Sequence, residues 1–299
     1  MRMEYILAAD VGGTKLATAL FRKDGTIVEE SVIQSEKQDG EKLFHSLVDS
    51  FKNLLVNSCV YMDDVMGIAL GIPGIVDSEK GIAVFQNNLP WRDFPLSDRL
   101  AIEFPETKIK IDNDVYMATW GEYTNRGYSK ESMVYVTLST GISCCSIHQG
   151  EFLRGAGMAG EIGFSLTDNP ETTLEPLVSG PALESKGREH FNNTTLKLHE
   201  MMELYYQGDD ATVSIINEAV TSLAKEVHHI MVFLDPHCIV LGGGVFNHHP
   251  ELIKAVKNEV GKYLSHPLLK GKEERIEASI YKDEAVLRGV ASTIIEEKR

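Results

Sequence analysis

The fold of this chain is decided by the stretch Tyr5-Ile6-Leu7-Ala8-Ala9-Asp10-Val11-Gly12-Gly13-Thr14-Lys15. An apolar strand is expected to end at an acid and to lead into a short polar loop. Gly12 and Gly13 can adopt positive φ and are expected to turn their amides toward an anion. Thr14 adds a hydroxyl donor and Lys15 a point charge. Because a carboxylate repels phosphate unless a cation lies between them, Asp10 beside this loop predicts a site for magnesium nucleotide.

This loop has one alternative interpretation, and it differs from two other nucleotide-binding motifs. A tight hairpin turn after an ordinary edge strand is the alternative that involves no ligand. The spacing does not match the P-loop, which requires Gly-x-x-x-x-Gly-Lys-Ser/Thr, or the dinucleotide pattern Gly-x-Gly-x-x-Gly.

Composition bounds the class of protein. A length of 299 residues with 43% hydrophobic residues predicts about two domains with substantial cores. The net charge of −15 repels polyanions, so nucleic acid is not expected as a direct ligand. ATP stays possible because magnesium can mask its charge. We expect no signal peptide and no membrane span, since no apolar run approaches the necessary length.

The four cysteines are Cys59, Cys144, Cys145 and Cys238. None forms a C-x-x-C pair, which argues against a disulfide framework and against a cysteine zinc site. A reducing cytoplasm is the expected location.

Strands and helices alternate along the chain, which predicts an α/β protein. Strands are expected at residues 5–9, 16–21, 26–33, 65–70, 108–111, 133–138, 143–147 and 238–241, and helices at 41–59, 115–125 and 285–296. The plan restarts in the second half. The strand 133–138 ends at Ser139-Thr140-Gly141, where the first half has Asp10-Val11-Gly12. Two related lobes that face one nucleotide would explain this repetition.

Seven short motifs occur in a fixed order along nearly the whole chain. They are Asp10-x-Gly-Gly-Thr-Lys15, Gly71-Ile-Pro-Gly74, Asn113-Asp114 with Gly121-Glu122, Ser139-Thr-Gly141, Gly155-Ala-Gly-Met-Ala-Gly-Glu-Ile-Gly163, Ser179-Gly-Pro-Ala182 and Gly242-Gly-Gly244. Each is weak alone, but the ordered set resembles the ROK family (repressors, open reading frames and sugar kinases). The resemblance implies the two-lobed actin-like ATPase (ribonuclease H-like) fold of the hexokinase/ROK type. It also implies transfer of the γ-phosphate of ATP to a hexose hydroxyl, usually the 6-hydroxyl.

The family resemblance also implies where the two lobes begin and end. We expect a small N-terminal lobe of residues 1–112 plus 284–299 and a larger C-terminal lobe of residues 113–283, with the active site in the cleft between them.

Asp114 is the expected general base. It follows a strand and begins a helix, where the helix N-terminus favours a carboxylate. Phosphoryl transfer requires mainly alignment and charge neutralisation, so one acid that accepts the sugar proton can suffice. A plain helix N-cap is the alternative interpretation. Asn113 and Asn88 each offer a donor and an acceptor to sugar hydroxyls, although Asn88 can equally be a turn residue before Pro90.

Further roles match the resemblance. Glu161 and Glu175 are expected to accept hydrogen bonds from sugar hydroxyls, with a solvated loop acid as the alternative for Glu175, and Gly74 is expected at the sugar. Asp10 is expected to hold magnesium through water. The predicted ATP-binding set is Asp10, Gly12, Gly13, Thr14, Lys15, Thr140, Gly141, Gly242, Gly243 and Gly244, in which Thr140 and Gly141 hold phosphate and the last three glycines face adenine and ribose.

The chain departs from the family pattern after Gly163. A histidine and a cysteine-rich zinc knot are usual there, but Phe164 follows and residues 165–174 contain no cysteine. We therefore expect no zinc. Phe164 cannot replace the hydrogen bond of the histidine to the sugar, so discrimination is relaxed at one hydroxyl or an apolar wall faces a substituent. A β-glucoside or disaccharide therefore becomes an alternative substrate to glucose or N-acetylmannosamine.

A second departure is Ser143-Cys144-Cys145, which stands where the family has glycines. Side chains that point into the core are the favoured interpretation, and a narrowed approach to phosphate is the alternative. A repressor is the rival function, but we expect no DNA-binding segment here, because the phosphate strand begins almost at residue 1 and the net charge is acidic. A sugar-binding protein without turnover is the third possibility. Family members are commonly homodimers.

Overall fold

The structure, a computed structural model, describes residues 4–296. Its strands are β1 (Tyr5–Val11), β2 (Lys15–Arg22), β3 (Ile27–Gln34), β4 (Val65–Ile72), β5 (Ile75–Asp77), β6 (Ile82–Phe85), β7 (Arg92–Phe94), β8 (Lys108–Asn113), β9 (Met133–Leu138), β10 (Ile142–His148), β11 (Glu151–Phe152), β12 (Cys238–Gly242) and β13 (Ile276–Ala278). Its helices are α1 (Gly40–Asn57), α2 (Leu96–Glu103), α3 (Asp114–Asn125), α4 (Glu175–Val178), α5 (Gly180–Phe191), α6 (Leu198–Gln207), α7 (Asp210–Leu234), α8 (Gly244–His248), α9 (Pro250–Tyr263) and α10 (Ala285–Glu296).

The chain divides into two compact units, Met1–Gly127 together with Glu284–Arg299, and Tyr128–Asp283. The division falls after Gly127 and not after residue 112, where we expected it. The physical reason is that α3 packs along α10 within the first unit. The two helices approach so closely that a Cβ on Gly121 would lie 2.8 Å from the carbonyl oxygen of Ala285.

Each unit contains a five-stranded sheet with the same strand order. In the first unit the order is β3-β2-β1-β4-β8, and in the second it is β11-β10-β9-β12-β13. In both sheets the first three strands of this order pair antiparallel to one another. The last two lie parallel to the third strand, which is β1 in the first sheet and β9 in the second. The repetition predicted from the two strand–turn–strand segments is therefore present in the structure.

The first sheet buries a different set of side chains on each face. Leu7, Ala9 and Val11 point into an apolar cluster that includes the buried face of α1. Residues between them point to the opposite face, since side chains alternate along a strand. On that face α10 approaches β4, and a Cβ on Gly67 would lie 2.9 Å from Cδ1 of Ile294. Asp10 belongs to this second face.

Helix α1 begins at a well-defined cap. The side chain of Asp39 accepts hydrogen bonds from the backbone N–H groups of Glu41 and Lys42, which satisfies donors that the first helical turn leaves unpaired. The hydroxyls of Thr18 in β2 and Ser50 in α1 share a buried hydrogen bond of 2.6 Å. A small antiparallel sheet, β5-β6-β7, also lies in this unit, and the sequence patterns did not predict it.

The second unit packs its sheet against helices that the sequence patterns left unassigned. The long helix α7 is capped by Asp209, whose side chain accepts from the N–H of Thr212. Buried residues of α7 and α9 join those of β9 and β12 in one apolar cluster. Within residues 4–296, no helix combines the length and the apolar character that a bilayer crossing requires.

Candidate active site

The loop between β1 and β2 is a tight turn. The N–H of Gly12 donates to the carbonyl oxygen of Lys15 at 3.0 Å, and the side chains of Thr14 and Lys15 are exposed. Neither Gly12 nor Gly13 has a positive φ, so our expectation of left-handed backbone at these two glycines is wrong, while their contact with an anion stays a prediction. Close packing requires the glycine at position 13 instead, because a Cβ there would lie 2.6 Å from the Cβ of Asn88.

Two residues outside the predicted loop determine its environment. Asn88 lies directly against Gly13, which brings a predicted sugar ligand to the predicted phosphate loop. Ser35, which directly follows β3, donates two hydrogen bonds to the loop. Its hydroxyl donates to the carbonyl oxygen of Gly12 at 2.5 Å, and its N–H donates to the carbonyl oxygen of Thr14 at 3.1 Å. Sequence reasoning missed Ser35, and a single serine after an exposed edge strand carries no signal that could have identified it.

Asp10 and Asp114 lie beside the same glycine. In the parallel pair β1–β4, Asp10 is the register partner of Gly71, so both residues face the same side of the sheet. A Cβ on Gly71 would lie 3.3 Å from the Cα of Asp114. The structure therefore brings together the predicted magnesium ligand and the predicted general base within one unit.

Asn113, rather than Asp114, caps helix α3. The Oδ1 atom of Asn113 accepts from the N–H groups of Val115 at 2.9 Å and Tyr116 at 3.2 Å. Its Nδ2 group donates to the carbonyl oxygen of Gly74 at 3.0 Å. The alternative interpretation of Asp114 as the N-cap is therefore wrong, since Asp114 is the first helical residue. Most of the hydrogen-bonding capacity of Asn113 serves this cap, which leaves one Nδ2 hydrogen for the sugar contact that we predicted.

The matching loop of the second unit joins β9 to β10. The N–H of Ser139 donates to the carbonyl oxygen of Gly141 at 2.8 Å, and Thr140 is exposed at the tip. Behind the tip lies the side chain of Glu175, the first residue of α4. Its Oε2 atom accepts from the N–H of Ile142 at 3.1 Å. A Cβ on Gly141 would lie 2.5 Å from the same oxygen, so glycine is required at that position.

The carboxylates of Glu161 and Glu175 interact electrostatically. Partial burial, followed by the negative charge of Glu175, raises the pKa of Glu161 above its ordinary value. A Cβ on Gly163, two residues after Glu161, would lie 3.2 Å from Oε2 of Glu175. The two predicted sugar-binding carboxylates are thus neighbours, and Glu175 also contacts the predicted phosphate loop.

The triple glycine lies against the end of β9. A Cβ on Gly243, which has a φ of +85°, would lie 2.6 Å from the carbonyl oxygen of Leu138, and one on Gly244 would lie 3.4 Å from Oγ of Ser139. Gly242 packs against the ring of Tyr135. The predicted adenine loop and the predicted phosphate loop are therefore adjacent in the second unit.

The departures from the family pattern have clear structural forms. Cys144 and Cys145 are buried, as the favoured interpretation required, and burial raises the pKa of Cys144 to about 12. Residues 165–174 form a small hairpin in which the N–H of Leu174 donates to the carbonyl oxygen of Ser165 at 2.9 Å. Phe164 exposes 67% of its surface, so its ring is available to a ligand.

The ROK family profile matches residues 6–297. A glucokinase from Halalkalibacterium halodurans is 29% identical over 97% of this chain and 94% of its own length. An N-acetylmannosamine kinase from Yersinia pestis is 28% identical over 80% of this chain and 82% of its own length.

Solved structures share the fold. The ROK hexokinase from Thermus thermophilus is 27% identical, and its structure matches with a TM-score of 0.79 over 97% of each chain. The predicted α/β, actin-like ATPase fold of the ROK type is confirmed. The family resemblance drawn from the seven motifs is confirmed as well: this chain belongs to the ROK family.

Proposed function

We propose that this protein is an ATP-dependent sugar kinase that transfers the γ-phosphate of ATP to a hexose or hexosamine hydroxyl, the 6-hydroxyl in the first instance. Relatives that match most of the chain are a glucokinase and an N-acetylmannosamine kinase. Glucose and N-acetylmannosamine are therefore the first substrates to test.

The observation that carries the proposal is the placement of Asp10 and Asp114 around Gly71. Phosphoryl transfer needs a general base that accepts the proton of the attacking hydroxyl and a carboxylate that holds the metal of the nucleotide. Asp114 is assigned the first role and Asp10 the second. The helix N-terminus at Asp114 favours its ionised form, which is the form that accepts a proton.

The donor set of the first unit fits magnesium nucleotide. Asp10 supplies oxygen, the ligand atom that magnesium prefers, while the exposed side chains of Thr14 and Lys15 supply donors for phosphate oxygens. Magnesium bound with ATP supplies charge neutralisation on the phosphates. In the second unit, Thr140, Gly141 and the glycines at 242–244 are assigned to phosphate and nucleoside.

The sugar is assigned to Glu161 and Glu175, with Asn88, Asn113 and Gly74 contributing from the first unit. Carboxylates accept hydrogen bonds from hydroxyls and therefore suit a polyol. Phe164 supports a second candidate, a β-glucoside or disaccharide kinase, because its exposed ring offers an apolar surface to an aglycone or a second sugar ring.

A substrate panel tests the proposal. ADP release is measured with magnesium ATP and, in turn, glucose, N-acetylmannosamine, N-acetylglucosamine and cellobiose, with a sugar-free reaction as the background. Sugar-dependent ADP release with at least one of them is expected, and 6-deoxyglucose should be inactive if the 6-hydroxyl is the acceptor. A higher rate with cellobiose than with glucose would favour the second candidate. Sugar binding without ADP release for every sugar would instead indicate a non-catalytic sugar-binding protein or regulator.

We place the protein in the cytoplasm, where ATP is available and where the four cysteines, which form no disulfide among the described residues, would stay reduced. A homodimer is implied by the family resemblance alone, and light scattering on the purified protein would test it.

A further inference from the structure

A fully buried glutamine lies beside the proposed site and has no assigned role. Gln86 follows β6 and has 0% of its surface exposed. Its Nε2 group donates to the carbonyl oxygen of Ile75 at 3.2 Å. Among the described residues its Oε1 atom has no hydrogen-bond partner. A buried acceptor without a partner costs stability, so the contribution of Gln86 to the fold is small for a polar side chain in the interior.

Gln86 fixes the turn that supports the proposed base. Gly74 has a φ of +81°, and a Cβ on it would lie 3.1 Å from the Cα of Gln86 and still closer to the carbonyl oxygen of Phe85. The hydrogen bond from Gln86 therefore anchors the backbone of Ile75, the residue that follows Gly74. The carbonyl oxygen of Gly74 accepts from Nδ2 of Asn113 at 3.0 Å.

Asn113 extends this connection to Asp114. The Oδ1 atom of Asn113 accepts from the N–H groups of Val115 and Tyr116 in the first turn of α3. That turn begins with Asp114. Two side-chain amides, those of Gln86 and Asn113, therefore link the segment after β6 to the start of the helix that carries the base.

The same segment contacts the proposed phosphate loop at its other end. Asn88, two residues after Gln86, lies so near Gly13 that a Cβ on Gly13 would be 2.6 Å from the Cβ of Asn88. Residues 86–88 thus touch both the loop assigned to ATP and the turn that holds the base.

From this arrangement we propose that Gln86 is a positioning residue that aligns Asp114 with the phosphate loop during transfer. This inference rests on the proposed function, because it assigns the alignment of that same reaction. A displacement on the order of 1 Å in a reacting group can cost about 100-fold in rate. Loss of Gln86 should therefore lower kcat while leaving substrate binding little changed.

Gln86→Met is the direct test, because methionine has nearly the same length and shape but cannot donate to Ile75. We expect kcat to fall by roughly 10- to 100-fold, with little change in the KM for ATP. The melting temperature should shift by less than about 3 °C. Thr18→Val is the matched control: it removes a buried hydrogen bond of the same unit, to Ser50, and should lower the melting temperature without lowering kcat.

A second variant approaches the connection from Asn113 and keeps the test decisive if Gln86→Met does not fold. Asn113→Ser retains a side chain that can cap α3 but loses the bond to Gly74. We expect it to lower kcat as well. Where both variants fold, the double variant should lose no more kcat at saturating sugar than the more affected single variant, because both lower kcat through one connection, whereas loss of the sugar contact assigned to Asn113 raises the sugar KM.

The outcomes separate the inference from the function on which it rests. An active wild-type enzyme with unchanged kcat in Gln86→Met, or in Asn113→Ser, would overturn the positioning role alone. The same holds if the loss of kcat only follows the loss of folded protein, as Thr18→Val would reveal. A wild-type protein that phosphorylates no sugar would contradict the proposed function and this inference together.

Discussion

Alanine at position 13 should disable the enzyme through one steric contact. The added Cβ would lie 2.6 Å from the Cβ of Asn88, whereas carbon atoms in contact are separated by roughly 3.5 Å or more. The β1–β2 loop, which contains Gly13, and the segment of residues 86–88 must therefore move apart by about 0.9 Å, the difference between these two separations. Because Gly13 does not have a positive φ, alanine meets no backbone strain there, and the whole effect comes from this contact.

The displacement sets the expected magnitude. A shift of about 1 Å between reacting groups costs on the order of 100-fold in rate, which corresponds to about 2.7 kcal/mol of barrier. Overpacking should also destabilise the fold by about 1–3 kcal/mol. Kinetics for ATP and sugar, together with thermal unfolding, measure both effects for Gly13→Ala.

Gly25→Ala is the matched control in the same unit. Gly25 has a φ of +84° and no atom within 4 Å of the added Cβ, so alanine there costs roughly 1–2 kcal/mol of backbone strain without displacing the site. Its kcat should stay at the wild-type value. Gly13→Ala should also cost less when Asn88 is glycine, because the opposing Cβ is then absent. Wild-type kinetics in Gly13→Ala would refute the close packing of loop and segment.

Three further outcomes are expected in the second unit. Glu175→Gln keeps an oxygen that can accept from the N–H of Ile142 but loses its charge, so the sugar KM should rise roughly tenfold with the fold retained; an unchanged KM would remove Glu175 from the sugar site. The raised pKa of Glu161 means that the folded chain holds this proton more tightly than the unfolded chain, so this group's contribution to stability falls as pH rises from the ordinary carboxyl range through the raised value. Glu161→Gln should therefore melt higher than wild type near pH 7, with a difference that shrinks on acidification, and a lower melting temperature at neutral pH would contradict the assignment. Mass spectrometry of metals should find no stoichiometric zinc, and a chelator should leave the melting temperature unchanged; one zinc per chain would show that this prediction is wrong.

The elements that sequence patterns predicted well are those with one strong local signal. Helix α10 has the predicted bounds because its apolar residues recur at helical spacing, and β9 is a continuous apolar run between polar residues. The strands β5, β6 and β7 were missed because strands of three or four residues are too short to show alternation. The boundary between units was misplaced because contact between α3 and α10 joins residues far apart in sequence.

The candidate site divides in the same way. Residue types and order led to the assignment of Asp10, Asp114 and the two glycine-containing loops, and this assignment stays a prediction. They could not distinguish Asn113 from Asp114 as the cap, because both side chains suit an N-cap and only the backbone decides which residue precedes the helix. The positive φ expected at Gly13 was wrong for a related reason. A glycine can serve either a left-handed backbone or a close approach, and the neighbour that requires close approach is 75 positions later, at Asn88.

Asp114→Asn tests the central claim most directly. The variant keeps the shape of the side chain and removes its capacity to accept the proton. Asp210→Asn is the control, because Asp210 is likewise the first residue of a helix, α7, that is capped by the preceding residue. With the best sugar of the panel, we expect Asp114→Asn to abolish sugar-dependent ADP release while sugar binding stays measurable by calorimetry, and Asp210→Asn to behave as wild type. Wild-type ADP release in Asp114→Asn would contradict the assignment of Asp114 as the base.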